Sequence, residues 1–143
     1  MMACWSGHYD VVVELINHPR IDVNAKDRDG WTALMMACES GHHDVVVELL
    51  QHPHIDINSV STRGRRVYLP SGNWTSCPII AELLDHRGIK TFVSACTALM
   101  IASRNKQNAI VAELIKHPHV DVNIKNNNDN TALLLACHCC SEC

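Results

Sequence analysis

Apolar and polar positions along this chain follow a block that returns every 34 residues. Met1-Met2-Ala3-Cys4 recurs as Met35-Met36-Ala37-Cys38, and Ser6-Gly7-His8 as Ser40-Gly41-His42. Asp10-Val11-Val12-Val13-Glu14-Leu15 recurs as Asp44-Val45-Val46-Val47-Glu48-Leu49. His18-Pro19 with Ile21-Asp22-Val23-Asn24 returns as His52-Pro53 with Ile55-Asp56-Ile57-Asn58. The same offset carries Glu48-Leu49-Leu50 onto Glu82-Leu83-Leu84, and Thr97-Ala98-Leu99-Met100 onto Thr131-Ala132-Leu133-Leu134. Self-similarity at a fixed period of this length is the signature of stacked structural repeats.

Each block predicts two short helices and an extended link. Thr32 is a helix N-cap whose hydroxyl can satisfy a free N–H of the first turn. Ala33, Leu34, Met36, Ala37 and Cys38 follow as a helix with a small-residue face, and Gly41 ends it in the left-handed conformation. Asp44 is placed to cap a second helix from Val45 to Gln51, in which Val46, Leu49 and Leu50 recur at helical spacing. Pro53 stops that helix. Ile55-Asp56-Ile57-Asn58 reads as extended and Asp27-Arg28-Asp29-Gly30 as a turn. Helices this short are marginal in isolation, so the units must stack to bury their apolar faces.

Gly30-x-Thr32-Ala33-Leu34, the Ser40-Gly41-His42 turn, the Val-Val-x-Glu-Leu-Leu second helix and the Asp-Val-Asn strand together resemble the ankyrin repeat family. The resemblance implies an all-α solenoid of paired, short antiparallel helices with hairpin-like loops. Ala33 and Met35 stand where that family usually has Pro and His, and the His-Pro-x-Ile-Asp link is longer than the usual Gly-Ala-Asp. One unit is degenerate. Its second helix, Ile79 to Asp85, keeps register, but Pro70-Ser71-Gly72-Asn73 falls where its first helix should run. Residues 59–77 are therefore expected as an irregular loop. Thr97 stands three residues short of two full periods after Thr32, so the hairpin between units three and four should be trimmed. The expected division is one array over 1–143: a partial repeat at 1–26, a repeat at 27–60, a degenerate repeat at 61–92, a repeat at 93–125 and a partial repeat at 126–143. Neither end looks like the polar capping unit that such arrays need, so a segment of a longer array is expected, with Val12, Leu15, Leu133 and Leu135 exposed and self-association through uncapped ends.

Composition narrows the function. Apolar residues make up 47% and charged ones 19%, enough to build a core, while a net charge of −3 gives no broad basic surface for nucleic acid. Apolar runs fall far below the ~20 residues that span a bilayer. The opening Met1-Met2-Ala3-Cys4-Trp5-Ser6 lacks the regions of a signal peptide, so an intracellular, cytoplasmic protein is expected. Of eight cysteines, Cys4, Cys38 and Cys137 share one small, buried repeat position, and Cys77 and Cys96 are isolated. The tail Cys137-His138-Cys139-Cys140-Ser141-Glu142-Cys143 has two C-x-x-C spacings but no second ligand cluster to complete a zinc site. His18, His52, His86 and His117 close successive second helices, where an imidazolium would favour the negative end of the helix dipole. No nucleophile and carboxylate accompany any histidine, so neither an enzyme nor a cofactor is expected. Thr62-Arg63-Gly64-Arg65-Arg66 reads as a solvated basic loop, and Asn73-Trp74-Thr75 as a sequon without access to glycosylation. Asn24, Asn58 and Asn123 are expected to bond turn backbone.

The family resemblance implies binding of another protein by hairpin tips and the exposed side of the first helices. Carried over by position, this selects Arg28, Asp29 and Trp31 with Glu39 and Ser40 in the second unit, and Trp5 and Ser6 in the first. Arg104 and Asn105 follow in the fourth, and Asn127, Asn128, Asn130 and His138 in the last. Trp31 and Trp5 stand out, because tryptophan is enriched at binding hot spots. A structural spacer in a larger protein, or a metal or redox role for the Cys-rich tail, are the competing expectations.

Overall fold

The structure, a computed structural model, describes residues 1–62, 67–68, 74–75 and 95–138. The described helices are α1 Met2–Ser6, α2 Tyr9–Ile16, α3 Ala33–Ser40, α4 His43–Leu50, α5 Ala98–Arg104, α6 Asn108–Lys116 and α7 Ala132–His138. They pair as α1–α2, α3–α4 and α5–α6, and the pairs stack with α7 beginning the next layer. No described helix is long and apolar enough to cross a membrane.

The first helices start as their sequence dictates. Oγ1 of Thr32 accepts the Met35 N–H at 3.3 Å, and Thr97 and Thr131 repeat the bond to Met100 and Leu134 at 3.3 and 3.4 Å. Gly41 closes α3 at φ 78°. Lys106 holds the equivalent place after α5 at φ 57°, a conformation that costs a side chain about 1–2 kcal/mol.

The second helices begin earlier than expected. His42 precedes α4, and Asp44 lies inside the first turn rather than capping it. Its carboxylate there still faces the positive end of the helix. The histidines after these helices also differ from expectation. Nδ1 of His18, His52 and His117 accepts the N–H two residues on, from Arg20, His54 and His119, at 3.2, 3.3 and 3.4 Å. Their part in the turn is that of an acceptor, because Pro in between bends the backbone N–H back onto the ring.

Two kinds of contact set the stack. The apolar one is a single core in which Leu34, Val46, Leu49, Leu99, Ile101 and Leu114 are all at most 4% exposed. The polar one is made by asparagine. Nδ2 of Asn24 donates to the His54 carbonyl at 2.6 Å while its Oδ1 accepts the Asp56 N–H at 2.8 Å. Asn58 repeats this pair on His119 (2.7 Å) and Asp121 (2.8 Å). These asparagines, expected to serve turn backbone, instead reach into the following unit.

The second of these pins joins units that are not adjacent in the repeat numbering. α3 packs directly on α5 and α4 on α6. Asp27 N–H donates to the Trp31 carbonyl, and Oδ1 of Asp27 accepts the Trp31 N–H. Ser61 N–H donates to the Cys96 carbonyl at 3.1 Å, and Oγ of Ser61 accepts the Cys96 N–H at 2.9 Å. Ser61 and Cys96 thus form the base of one hairpin, in the positions that Asp27 and Trp31 hold at the 27–31 tip. Most of the repeat expected over 61–92 lies outside the described residues. Within 59–77, Val67–Tyr68 (β1) and Trp74–Thr75 (β2) pair antiparallel, Val67 opposite Thr75 and Tyr68 opposite Trp74, where a full period would start a first helix. The expected second helix from Ile79 to Asp85 lies outside the described residues.

Replacing 62–95 by the tripeptide Arg-Asp-Gly that forms the 28–30 tip should therefore leave the stack intact. The shortened chain should unfold in one thermal transition within a few degrees of the parent, and Cys38 and Cys96 should stay protected from alkylation. Rapid alkylation of either thiol would show that the segment holds the two units together.

Candidate partner-binding surface

Each hairpin tip is held by one side-chain oxygen. Oδ1 of Asp27 accepts the N–H groups of Asp29 (3.0 Å) and Trp31 (2.9 Å), and Gly30 closes the turn by donating to the Asp27 carbonyl at 3.0 Å. Asn126 builds the same clamp on Asn128 and Asn130, both at 2.9 Å, with Asp129 donating to its carbonyl. A carboxylate or amide two residues before a turn N–H is the usual way such residues mimic backbone. The clamps leave Arg28, Asn127 and Asn128 exposed and Asp29 and Asn130 half-buried. Lys125 and Asp129 flank the second tip 3.9 Å apart.

Trp31, selected as a contact residue, is 1% exposed. Its backbone is bonded at both N–H and carbonyl to Asp27, which turns the indole from the tip into the core. Truncating a core aromatic of this kind costs about 3–5 kcal/mol of stability, so Trp31 belongs to the fold and not to an interface. Trp5 is half-buried against the core, and its carbonyl accepts a bond from Nε2 of His42 at 3.1 Å.

Glu39, Arg104 and Asn105 were expected on the open side of the first helices. They bind one another. The Arg104 guanidinium donates to Oε2 of Glu39 at 3.0 Å, with side chains 7% and 3% exposed. Nδ2 of Asn105 donates to the same oxygen at 3.1 Å. This ion pair spans α3 and α5, so it couples two units. Of the selected residues, Trp5, Ser6, Arg28, Asp29, Ser40, Asn105, Asn127, Asn128 and Asn130 remain at least partly open. The side chain of His138 lies outside the described residues.

Burial raises the thiols of Cys4, Cys38 and Cys96 above their usual range; the charge of Arg104 partly offsets this at Cys96. Cys137 is exposed. Among the described residues no three His, Cys, Asp or Glu side chains converge as metal ligands. Cys77, Cys139, Cys140, Cys143, the Arg63–Arg66 run and Asn73 lie outside the described residues.

The expected exposure of the end faces also changes in detail. Val12 is buried and Leu135 half-buried, whereas Val11, Leu15, Leu133 and Leu134 are exposed. Val12 shares its helical face with Val46 and points into the core; Val11 points out of the stack.

A stack of clamped hairpins and helix pairs defines a repeat solenoid whose chemistry lies on its surface. Ankyrin repeats match in three copies over residues 1–67 and 71–143, and the chain belongs to the ankyrin repeat family. No curated protein matches it. Ankyrin repeats are generally protein–protein interaction modules.

The buried pair yields a direct test. Glu39→Ala strands a guanidinium in the core and should destabilise the chain by about 3–5 kcal/mol, as breaking buried pairs does. Replacing Glu39 and Arg104 together by Leu should cost less than either single truncation in denaturant titrations. A double variant at least as unstable as the worse single one would refute the pairing.

Proposed function

We propose that this protein binds another protein through the tips at 27–31 and 126–130, with Ser6 and Ser40 at the C-terminal ends of the first helices as further contacts. The observation that carries the reading is the common clamp. Asp27 and Asn126 fix the two tips in one geometry, while the residues they display differ, Arg28-Asp29-Gly30 against Asn127-Asn128-Asp129. A rigid support with variable display fits recognition, since little ordering entropy is lost on binding. Both tips are polar, so the complementary surface is a hydrogen-bonding one. Buried free thiols at Cys4, Cys38 and Cys96 support a reducing, intracellular setting.

With a partner isolated on the immobilised chain, Arg28→Ala and the double variant Asn127→Ala/Asn128→Ala should each weaken binding by about 1–2 kcal/mol. Thermal stability should stay unchanged in Arg28→Ala, since the 27–31 clamp is made by Asp27 and the Arg28 side chain is exposed. Unaltered affinity in all three substitutions combined would remove the tips from the interface.

The exposed Val11, Leu15, Leu133 and Leu134 favour a second reading, association of the end faces, which sedimentation equilibrium at rising concentration detects.

A further inference from the structure

The link after each second helix is built on a histidine that has to be neutral. Nδ1 of His18, His52 and His117 accepts the N–H of Arg20, His54 and His119 at 3.2, 3.3 and 3.4 Å. A backbone N–H only donates, so Nδ1 carries its lone pair and the ring proton sits on Nε2. An imidazolium has a proton on both nitrogens and cannot make this bond. Two of the donating residues also carry the pins between layers. The carbonyls of His54 and His119 accept Nδ2 of Asn24 and Asn58 at 2.6 and 2.7 Å. Each of these residues is thus gripped twice, at its N–H by the histidine of its own layer and at its carbonyl by the asparagine of the adjoining one.

We propose that the links at His52 and His117 are a pH switch: protonation of these two rings releases the His54 and His119 N–H groups and loosens the Asn24 and Asn58 pins between layers. The charges around the rings act in the same direction. The ring centroids of His52 and His54 lie 6.0 Å apart and those of His117 and His119 5.8 Å, so each imidazolium stands beside a second ring that titrates. The adjoining link adds His18 and Arg20. Lys116 precedes His117, with its Nζ held by Glu113 at 2.7 Å. The carboxylates of the links are engaged elsewhere. Oδ1 of Asp22, Asp56 and Asp121 accepts the N–H of Asn24, Asn58 and Asn123 at 3.0, 3.1 and 2.9 Å. Among the described residues no carboxylate forms an ion pair with His18, His52 or His117. The negative ends of α4 and α6 favour a cation, but a charged ring collects that gain only by turning from the N–H towards the helix carbonyls, which also opens the link. The folded links hold the neutral form, so their contribution to stability is greatest above the imidazole range and falls as the pH drops through it. Other histidines respond differently. Nε2 of His42 donates to the Trp5 carbonyl at 3.1 Å, a bond that protonation keeps, and His43 lies 3.6 Å from Asp44, where a charge gains a partner. The links must therefore be isolated by substitution.

His52→Asn combined with His117→Asn does this, because the Oδ1 of asparagine accepts an N–H two residues on and does not titrate. Thermal melts of the full chain and of this double variant are compared from about pH 8 to about pH 5, the range in which imidazole changes charge. Over that range the parent should lose about 4 °C more in melting temperature than the variant. Equal losses in the two proteins, or a larger one in the variant, would overturn the proposal. Nitrogen-15 spectra of the parent chain supply a test that needs no substitution. At the higher pH the ring nitrogens of His52 and His117 should report the Nε2–H tautomer. As the pH is lowered, the side-chain amide signals of Asn24 and Asn58 should move together with the His52 and His117 rings. An Nδ1–H tautomer, or asparagine signals that stay fixed while the rings titrate, would equally defeat the switch.

Discussion

The contact between one helix pair and the next is what the other features rest on. The longest described helix has nine residues, and α1 has five. In water, isolated helices shorter than about 12–15 residues are marginal. Thr32, Thr97 and Gly41 decide where the helices begin and end, but caps contribute only on the order of 1 kcal/mol each. The larger favourable term is burial of Leu34, Leu49, Leu99 and Leu114 against neighbours in the adjoining layer, at about 25 cal/mol per Å² of apolar surface removed from water. Each layer is therefore both a product of its neighbour and a template for it.

Apolar stacking alone is tolerant of sliding, and the polar contacts remove that tolerance. Asn24 and Asn58 each bind a donor and an acceptor on the next layer, which only one register satisfies. The Glu39–Arg104 pair does the same at the other edge of the layer, where charges taken out of water make misalignment costly. The effect on function is a division of labour. Glu39, Arg104 and Asn105 of the first helices and the turn after them are engaged in holding layers together. The tips, clamped from within by Asp27 and Asn126, are left to face other molecules.

Much of this was legible in the chain. The 34-residue recurrence, the threonine caps and the αL glycine fixed helix identity because each acts over a few residues. Where the reading failed, the interaction was between layers. Trp31, Cys96 and Asn130 occupy one position and differ, which looks like surface drift; in space the position is the base of a hairpin, where Trp31 and Cys96 are buried and Asn130 half-buried. Glu39 and Arg104 are equivalent and opposite in charge, a signal for a pair. It could be recognised only by knowing that their units touch, and chain order placed another repeat between them. Asn24 and Asn58 were read as local turn residues because nothing in sequence distinguishes an amide bonding two residues away from one bonding across 30.

The hairpin closed by Ser61 and Cys96 has a consequence for how this chain tolerates change. Ser61 and Cys96 are bonded side by side, so the entropy of closing a flexible connection between them grows only with the logarithm of its length. Lengthening such a loop from three residues to the 34 between Ser61 and Cys96 costs ~2 kcal/mol, since the penalty grows with the logarithm of length. The bonds between Ser61 and Cys96 keep the register of the two units on either side of them, whereas a single residue added within α3 or α4 would rotate an apolar face by about 100° out of the core. Variation in length is thereby confined to one edge of the molecule, where it can be accommodated without reshaping the rest.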